Sequence, residues 1–181
     1  MLCTSVLDFV RVEASQGAQL LELVCRSYSE FGQVMTLAEE QAVLEIASGE
    51  PLAKAWLIGC KGELIGYFIL ALTFSLRCRG RGAVLDQIYL TPELRTQRVL
   101  CRVIEFVEYQ AALVGATMLD VKFTFKDKRE PVAFERIGFE KGTLIYEQTA
   151  RAMANLLSPK SPERVTELRW SRPLRVEKQL L

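Results

Sequence analysis

The sequence predicts an α/β domain, with a mixed and mostly antiparallel sheet flanked by helices. Three observations predict it. Residues Val6–Val12 alternate as a strand does, and three strand-like segments crowd the stretch from Ala53 to Leu90. Helical spacing appears on either side of that stretch, in residues 16–47 and 95–114. Of the 181 residues, 50% are hydrophobic and 25% charged, a balance that supports a buried core.

The elements follow in order. After Val6–Val12, a helix is expected from Gln16 to Tyr28, with Leu20, Leu21, Leu23, Val24 and Cys25 inward. Gly32 interrupts the pattern within Phe31–Met35. Thr36-x-x-Glu39 then reads as a capping box, in which hydroxyl and carboxylate satisfy free N–H groups at a helix start. The helix runs to Ala47 on an apolar face of Leu37, Val43, Leu44 and Ile46, and Gly49 with Pro51 stops it. Ala55–Cys60, the turn Lys61-Gly62 and Leu64–Leu76 form a hairpin. Arg77–Gly82 reads as a basic, glycine-containing loop, and Ala83–Leu90 as a third strand that Thr91-Pro92 ends.

Residues 95–114 place Val99, Val103, Phe106, Val107, Ala111 and Val114 on one face, with Arg102, Glu105 and Glu108 opposite. Gly115 closes this helix. A strand over Met118–Phe125, a short helix over Arg129–Ile137 capped by Gly138, and a strand over Thr143–Gln148 follow. Residues 1–148 are read as one domain. Residues 149–181 form a basic C-terminal segment that completes the sheet with a last strand near 165–170. From 151 to 181 there are seven Lys/Arg against three Asp/Glu, within a chain of net charge +1.

Composition excludes several chemistries. There is no histidine, so Ser–His–Asp and Cys–His catalysis and histidine-ligated metals are out. Cys3, Cys25, Cys60, Cys78 and Cys101 are scattered without a C-x-x-C pair, as expected of reduced thiols with no structural metal. Apolar stretches such as Leu64–Leu76 are too short to span a bilayer, so no membrane partner is expected and the cytoplasm is the expected compartment. No basic run interleaved with aromatics marks a nucleic-acid surface.

One junction stands out. The strand ending at Leu90 delivers the chain through Pro92-Glu93-Leu94-Arg95-Thr96-Gln97-Arg98-Val99-Leu100 into a helix start, where unpaired amides and the positive dipole end favour an anion such as phosphate. The order of elements and this junction resemble the GNAT family of acyl-CoA-dependent N-acyltransferases, whose members read P-x-x-R-G-x-G-[IV]-G here. Pro92, Arg95 and Val99 match. Asp86-Gln87-Ile88-Tyr89-Leu90 resembles the strand leading into that motif, and Ala133-Phe134-Glu135-Arg136-Ile137-Gly138-Phe139 resembles the family's [FL]-Y-x-x-x-G-F. The resemblance spans residues 5–148, most clearly 53–142.

That resemblance implies a GNAT-like fold and transfer of an acetyl or other acyl group from acyl-CoA to an amine by direct attack. Asp86 stands at the position of the family's base. Ile88, Tyr89 and Leu90, the loop residues Arg95, Thr96, Gln97, Arg98, Val99 and Leu100, and Asp127 and Phe134 stand where acetyl-CoA is held; no metal is implied. The departures are specific. The family's three glycines fall on Thr96, Arg98 and Leu100, and Leu100 is expected to crowd the diphosphate. Losing two charge-assisted amide contacts there costs about 3–6 kcal/mol, or about 10²–10⁴ in affinity. Phe134 replaces the tyrosine that protonates the leaving thiolate, and Asp127 replaces an asparagine on the pantetheine arm. The competing expectation is an inactive GNAT-like module that binds a protein or another small ligand. A homodimer and the identity of the amine are left open.

Overall fold

The computed structural model describes residues 6–76, 78–123, 140–141 and 168–173. Strand β1 (Leu7–Arg11) leads through a 3-10 turn at Ala14–Gln16 into helix α1 (Gly17–Glu30), followed by helix α2 (Leu37–Ala47). Three strands come next: β2 (Ala53–Cys60), β3 (Glu63–Ser75) and β4 (Gly80–Leu90). Helix α3 (Gln97–Leu113), β5 (Met118–Phe123), the two-residue β6 (Glu140–Lys141) and β7 (Leu168–Pro173) complete the described elements. They form one sheet in the order β1-β2-β3-β4-β5-β7-β6. Every pairing is antiparallel except β4 with β5.

Alternation along the strands builds two cores on opposite faces of this sheet. Trp56, Ile58, Phe68, Leu70 and Leu85 meet Val99, Val103, Ile104, Val107 and Ala111 of α3. Phe106 caps that layer by stacking on Phe9, ring centroids 4.0 Å apart, while Trp56 stacks on Phe68 at 4.9 Å. On the other face Ala55, Leu57, Tyr67, Ile69 and Tyr89 meet Leu20, Leu23 and Val24 of α1 and Val43 and Ala47 of α2. Fully buried side chains such as Leu20 and Phe68 each contribute about 1.5–3 kcal/mol.

The capping box forms as expected: the Thr36 hydroxyl accepts from the Glu39 amide at 3.3 Å, and the Glu39 carboxylate accepts from the Thr36 amide at 2.7 Å. The turn between β2 and β3 puts both Lys61 and Gly62 at positive φ, 55° and 82°, the geometry that suits the right-handed twist of a hairpin.

Three expectations need correction. Helix α2 does not bury Leu37 or Leu44. Leu37 occupies its first turn and is 83% exposed, and the helix packs through Val43 and Ala47 instead. The basic loop is shorter than its composition implies, because β4 begins at Gly80, where Gly80–Gly82 pair with Ser75–Thr73 of β3. Ile104 also joins the buried face of α3. The last strand lies at Leu168–Pro173, between β5 and β6, while the short helix at Arg129–Ile137 and the strand at Thr143–Gln148 fall outside the described residues.

Candidate functional site

β4 and β5 run as parallel partners for only three rows, Ala83–Leu85 against Leu119–Val121. Beyond Leu85, β4 continues to Leu90 with β3 as its pairing strand among the described residues. Two local features turn it that way. The register shifts between Ile69 and Leu70, which face Gln87 and Leu85, so Asp86 is the extra residue of a β-bulge and adds twist. Further on, Gly66 lets the end of β4 press onto β3: a Cβ at that position would stand 3.1 Å from the Leu90 Cα. Among the described residues the two strands stop pairing at Leu85 and Val121, which leaves a wedge beside the carboxyl end of β4.

The chain crosses this wedge into α3 through a tightly bonded turn. The Thr91 amide donates to the Ile65 carbonyl at 2.8 Å, and a 3-10 turn over Pro92–Leu94 follows. Thr96 caps α3, its hydroxyl accepting from the Val99 amide at 3.3 Å and its carbonyl from the Leu100 amide at 3.0 Å. Helix geometry leaves the amides of Gln97 and Arg98 without intrahelical acceptors, and both residues are exposed. These two N–H groups and the positive dipole end face the mouth of the turn.

Arg95 is committed to protein groups. Its Nε donates to the Leu90 carbonyl at 2.7 Å, its Nη2 to Glu30 Oε2 at 2.7 Å, and its Nη1 to Glu30 Oε1. The guanidinium carbon lies 5.3 Å from the centre of the Tyr89 ring. Val99 is buried in the core beneath α3. Leu100, expected from the sequence to crowd the diphosphate, is half-buried and packs against that same core. Ile88 and Leu90 point to the α3 face and Tyr89 to the α1 face.

Under α1, a polar cluster borders the same half of β4. The Tyr67 hydroxyl donates to Gln87 Oε1 at 3.0 Å, and the buried Ser27 of α1 lies on the same side. The Tyr28 hydroxyl donates to Glu39 Oε1 at 3.2 Å, so a single carboxylate serves both the α2 cap and this cluster. Burial pushes the Tyr67 phenol well above its ordinary value of 10.0, with the charges of Tyr28, Tyr89 and Asp86 adding to the effect. Tyr28 is raised by burial first and by Glu39 next, with Asp86 contributing. Tyr89 is raised by burial and then by Glu30, against the opposing charge of Arg95. The Thr36 amide, assisted by the Thr36 hydroxyl, holds the Glu39 carboxyl below its usual range. Asp86 itself is exposed, within electrostatic reach of the Tyr28 and Tyr67 hydroxyls.

No protein-family model matches this sequence, and no curated protein matches it. The architecture does have solved counterparts. An acetyltransferase from Salmonella typhimurium that modifies the N-terminal serine of ribosomal protein L7/L12 aligns over 94% of this chain and 95% of its own, with a TM-score of 0.65 at 14% identity. A Brucella melitensis ribosomal-protein-alanine N-acetyltransferase aligns over 78% of this chain and 97% of its own, TM-score 0.64, 15% identity. A Desulfovibrio desulfuricans protein described as a GNAT-family acetyltransferase aligns over 93% and 99%, TM-score 0.63, 13% identity. This chain has the GNAT fold.

Within the GNAT fold, the structure brings together Asp86, Ile88, Tyr89 and Leu90 on the diverging strand and Arg95–Leu100 at the adjoining helix start. Asp127 and Phe134 lie outside the described residues. Sequence reading missed Ser27, Tyr28, Tyr67, Gln87, Glu30 and Gly66. Only the Thr36–Glu39 spacing hinted at any of this network, since its members come from four separate elements. Among the described residues no group of three or more acidic or cysteine side chains converges to hold a metal ion, and no helix is long and apolar enough to cross a membrane.

Proposed function

We propose that this chain transfers an acetyl or other acyl group from acyl-CoA to an amine by direct attack. One observation carries the reading: among the described residues β4 pairs with β5 only as far as Leu85, then runs on past the Asp86 bulge to a helix start with two available amides. An extended amide-bearing arm can pair with β4 beyond Leu85, and a diphosphate suits the amides of Gln97 and Arg98. The exposed Arg98 side chain adds a cation at the same place. Engagement of Arg95 with Glu30 and Leu90 removes one side chain from direct phosphate binding. That engagement favours, as the second reading, a GNAT-fold module that binds without turnover.

Acyl-CoA supplies the activated thioester carbon; the chain supplies orientation and proton handling. Asp86 stands beside the wedge, on the α1 side of which lie the Tyr28 hydroxyl and the Gln87 amide, the latter held by the buried Tyr67 hydroxyl. The amine nitrogen forms the new C–N bond as the C–S bond breaks. The nitrogen's surplus proton passes to the Asp86 carboxylate, directly or through water, and the thiolate leaves and takes a proton from solvent. Positioning supplies much of such a rate.

The test is thermal. At 100 times its dissociation constant, CoA or acetyl-CoA stabilises by about 2.7 kcal/mol, a shift that differential scanning reads directly. Thiol release from acetyl-CoA with a panel of amines then separates the two readings. A midpoint shift without turnover on any amine favours the binding module, and no shift with either thioester or thiol defeats the proposal.

A further inference from the structure

We infer that Glu30 and Arg95 form a positioning pair that ties the end of α1 to the turn entering α3, and so sets the affinity of that turn for a CoA diphosphate. The inference rests on the acyl-CoA reading above and goes beyond it, because neither side chain is asked to touch the ligand.

Each charge sits where its own helix disfavours it. Glu30 is the last residue of α1, at the negative end of the dipole, and Arg95 lies two residues before α3, near the positive end. Glu30 takes the guanidinium on both carboxylate oxygens, the planar fork that fixes direction as well as distance. The third nitrogen, Nε, donates to the carbonyl of Leu90, the last residue of β4. With the guanidinium also over Tyr89, Arg95 is held from three sides.

The pair is about one-third exposed on each side chain, so water screens it and its worth to global stability is small. Its geometric effect is larger. Leu90 and Thr96 bracket the turn, and the amides of Gln97 and Arg98 take their direction from where that turn is pinned. At the other end, Glu30 opens the Phe31–Met35 connection between α1 and α2. There the Gln33 amide bonds the Tyr28 carbonyl at 2.8 Å, and Tyr28 belongs to the polar cluster. The pair therefore couples the acceptor-side helices to the phosphate-side turn.

The experiment measures CoA dissociation constants by titration calorimetry together with thermal midpoints. The proteins are the wild type, Glu30→Gln, Arg95→Gln, Glu30→Asp and, as a control, Glu22→Gln, which breaks only an exposed ion pair with Arg26 on α1. Glu30→Gln and Arg95→Gln are expected to weaken CoA binding about tenfold each with little change in midpoint. Glu30→Asp, which keeps the carboxylate, and Glu22→Gln should stay within about threefold of wild type. CoA affinities unchanged in Glu30→Gln and Arg95→Gln, whatever their midpoints, would overturn the pair's positioning role while leaving the transferase reading intact. A wild type that does not bind CoA removes that reading, and this inference with it.

Discussion

The carbonyl oxygen of Tyr89 lies 2.1 Å from the point where a Cβ on Gly66 would stand. No real side chain tolerates that approach, and the obstructing atom is backbone, so relaxation means moving a strand. Gly66→Ala is expected to cost about 2–3 kcal/mol and to push the end of β4 back toward β5. In a chain of this size that lowers the midpoint by about 4–12 °C. CoA affinity should fall along with it, because the wedge narrows; a midpoint within 1 °C of wild type, about the scatter of such scans, contradicts the argument.

Leu100→Gly separates packing from obstruction. If Leu100 filled a phosphate crevice, glycine would tighten CoA binding. Because its side chain rests on the α3 core, the substitution should instead destabilise by about 2–3 kcal/mol, from lost packing and a glycine within a helix. CoA affinity is expected to stay level or fall. Scanning calorimetry with a CoA titration checks both parts.

Much of this fold was legible because the signal is local. The α3 face repeats Val99, Val103, Val107 and Ala111 at helical spacing, and all four are buried. Thr36 and Glu39 carry their own cap chemistry within four residues. The wedge was not legible. It depends on a one-residue bulge at Asp86 and on Gly66 meeting Tyr89, a contact between residues far apart in sequence. Gly80-Arg81-Gly82 read as loop by composition, yet pairing with Thr73–Ser75 makes it strand, since tertiary partners override weak intrinsic preference. Tyr67 looked like one more apolar-run residue until Gln87 supplied its hydroxyl with a partner.

The tyrosines predict an alkaline transition. The Tyr67 phenol is raised by folding, so its contribution is fully present below the ordinary value of 10.0 and is lost as pH climbs through the folded value. Tyr28 and Tyr89 are raised in the same direction. Stability should hold to about pH 10 and fall above it, with the fall shallower in Tyr67→Phe. Glu39 works the opposite way: its depressed carboxyl contributes above 4.5, and that contribution is lost as pH drops. Thermal midpoints across the pH range, for wild type and Tyr67→Phe, check the alkaline limb.

Thr96→Ala should cost about 1 kcal/mol by removing the acceptor for the Val99 amide, while Thr96→Ser, which keeps the hydroxyl, should cost a few tenths. Denaturant midpoints at unchanged slope would show the difference as one of stability alone.

Asp86→Asn keeps the size of the side chain and removes its basicity. Turnover with a reactive amine should fall about 10²–10⁴-fold at neutral pH while CoA affinity is held, because the carboxylate handles the amine's proton and does not carry the diphosphate.

Amide hydrogen exchange, followed residue by residue with and without saturating CoA, reads the wedge itself. Slowed exchange in two places together, along Asp86–Leu90 and at Gln97 and Arg98, is the predicted result. Protection absent from both segments while CoA is demonstrably bound would put the ligand elsewhere and contradict the account.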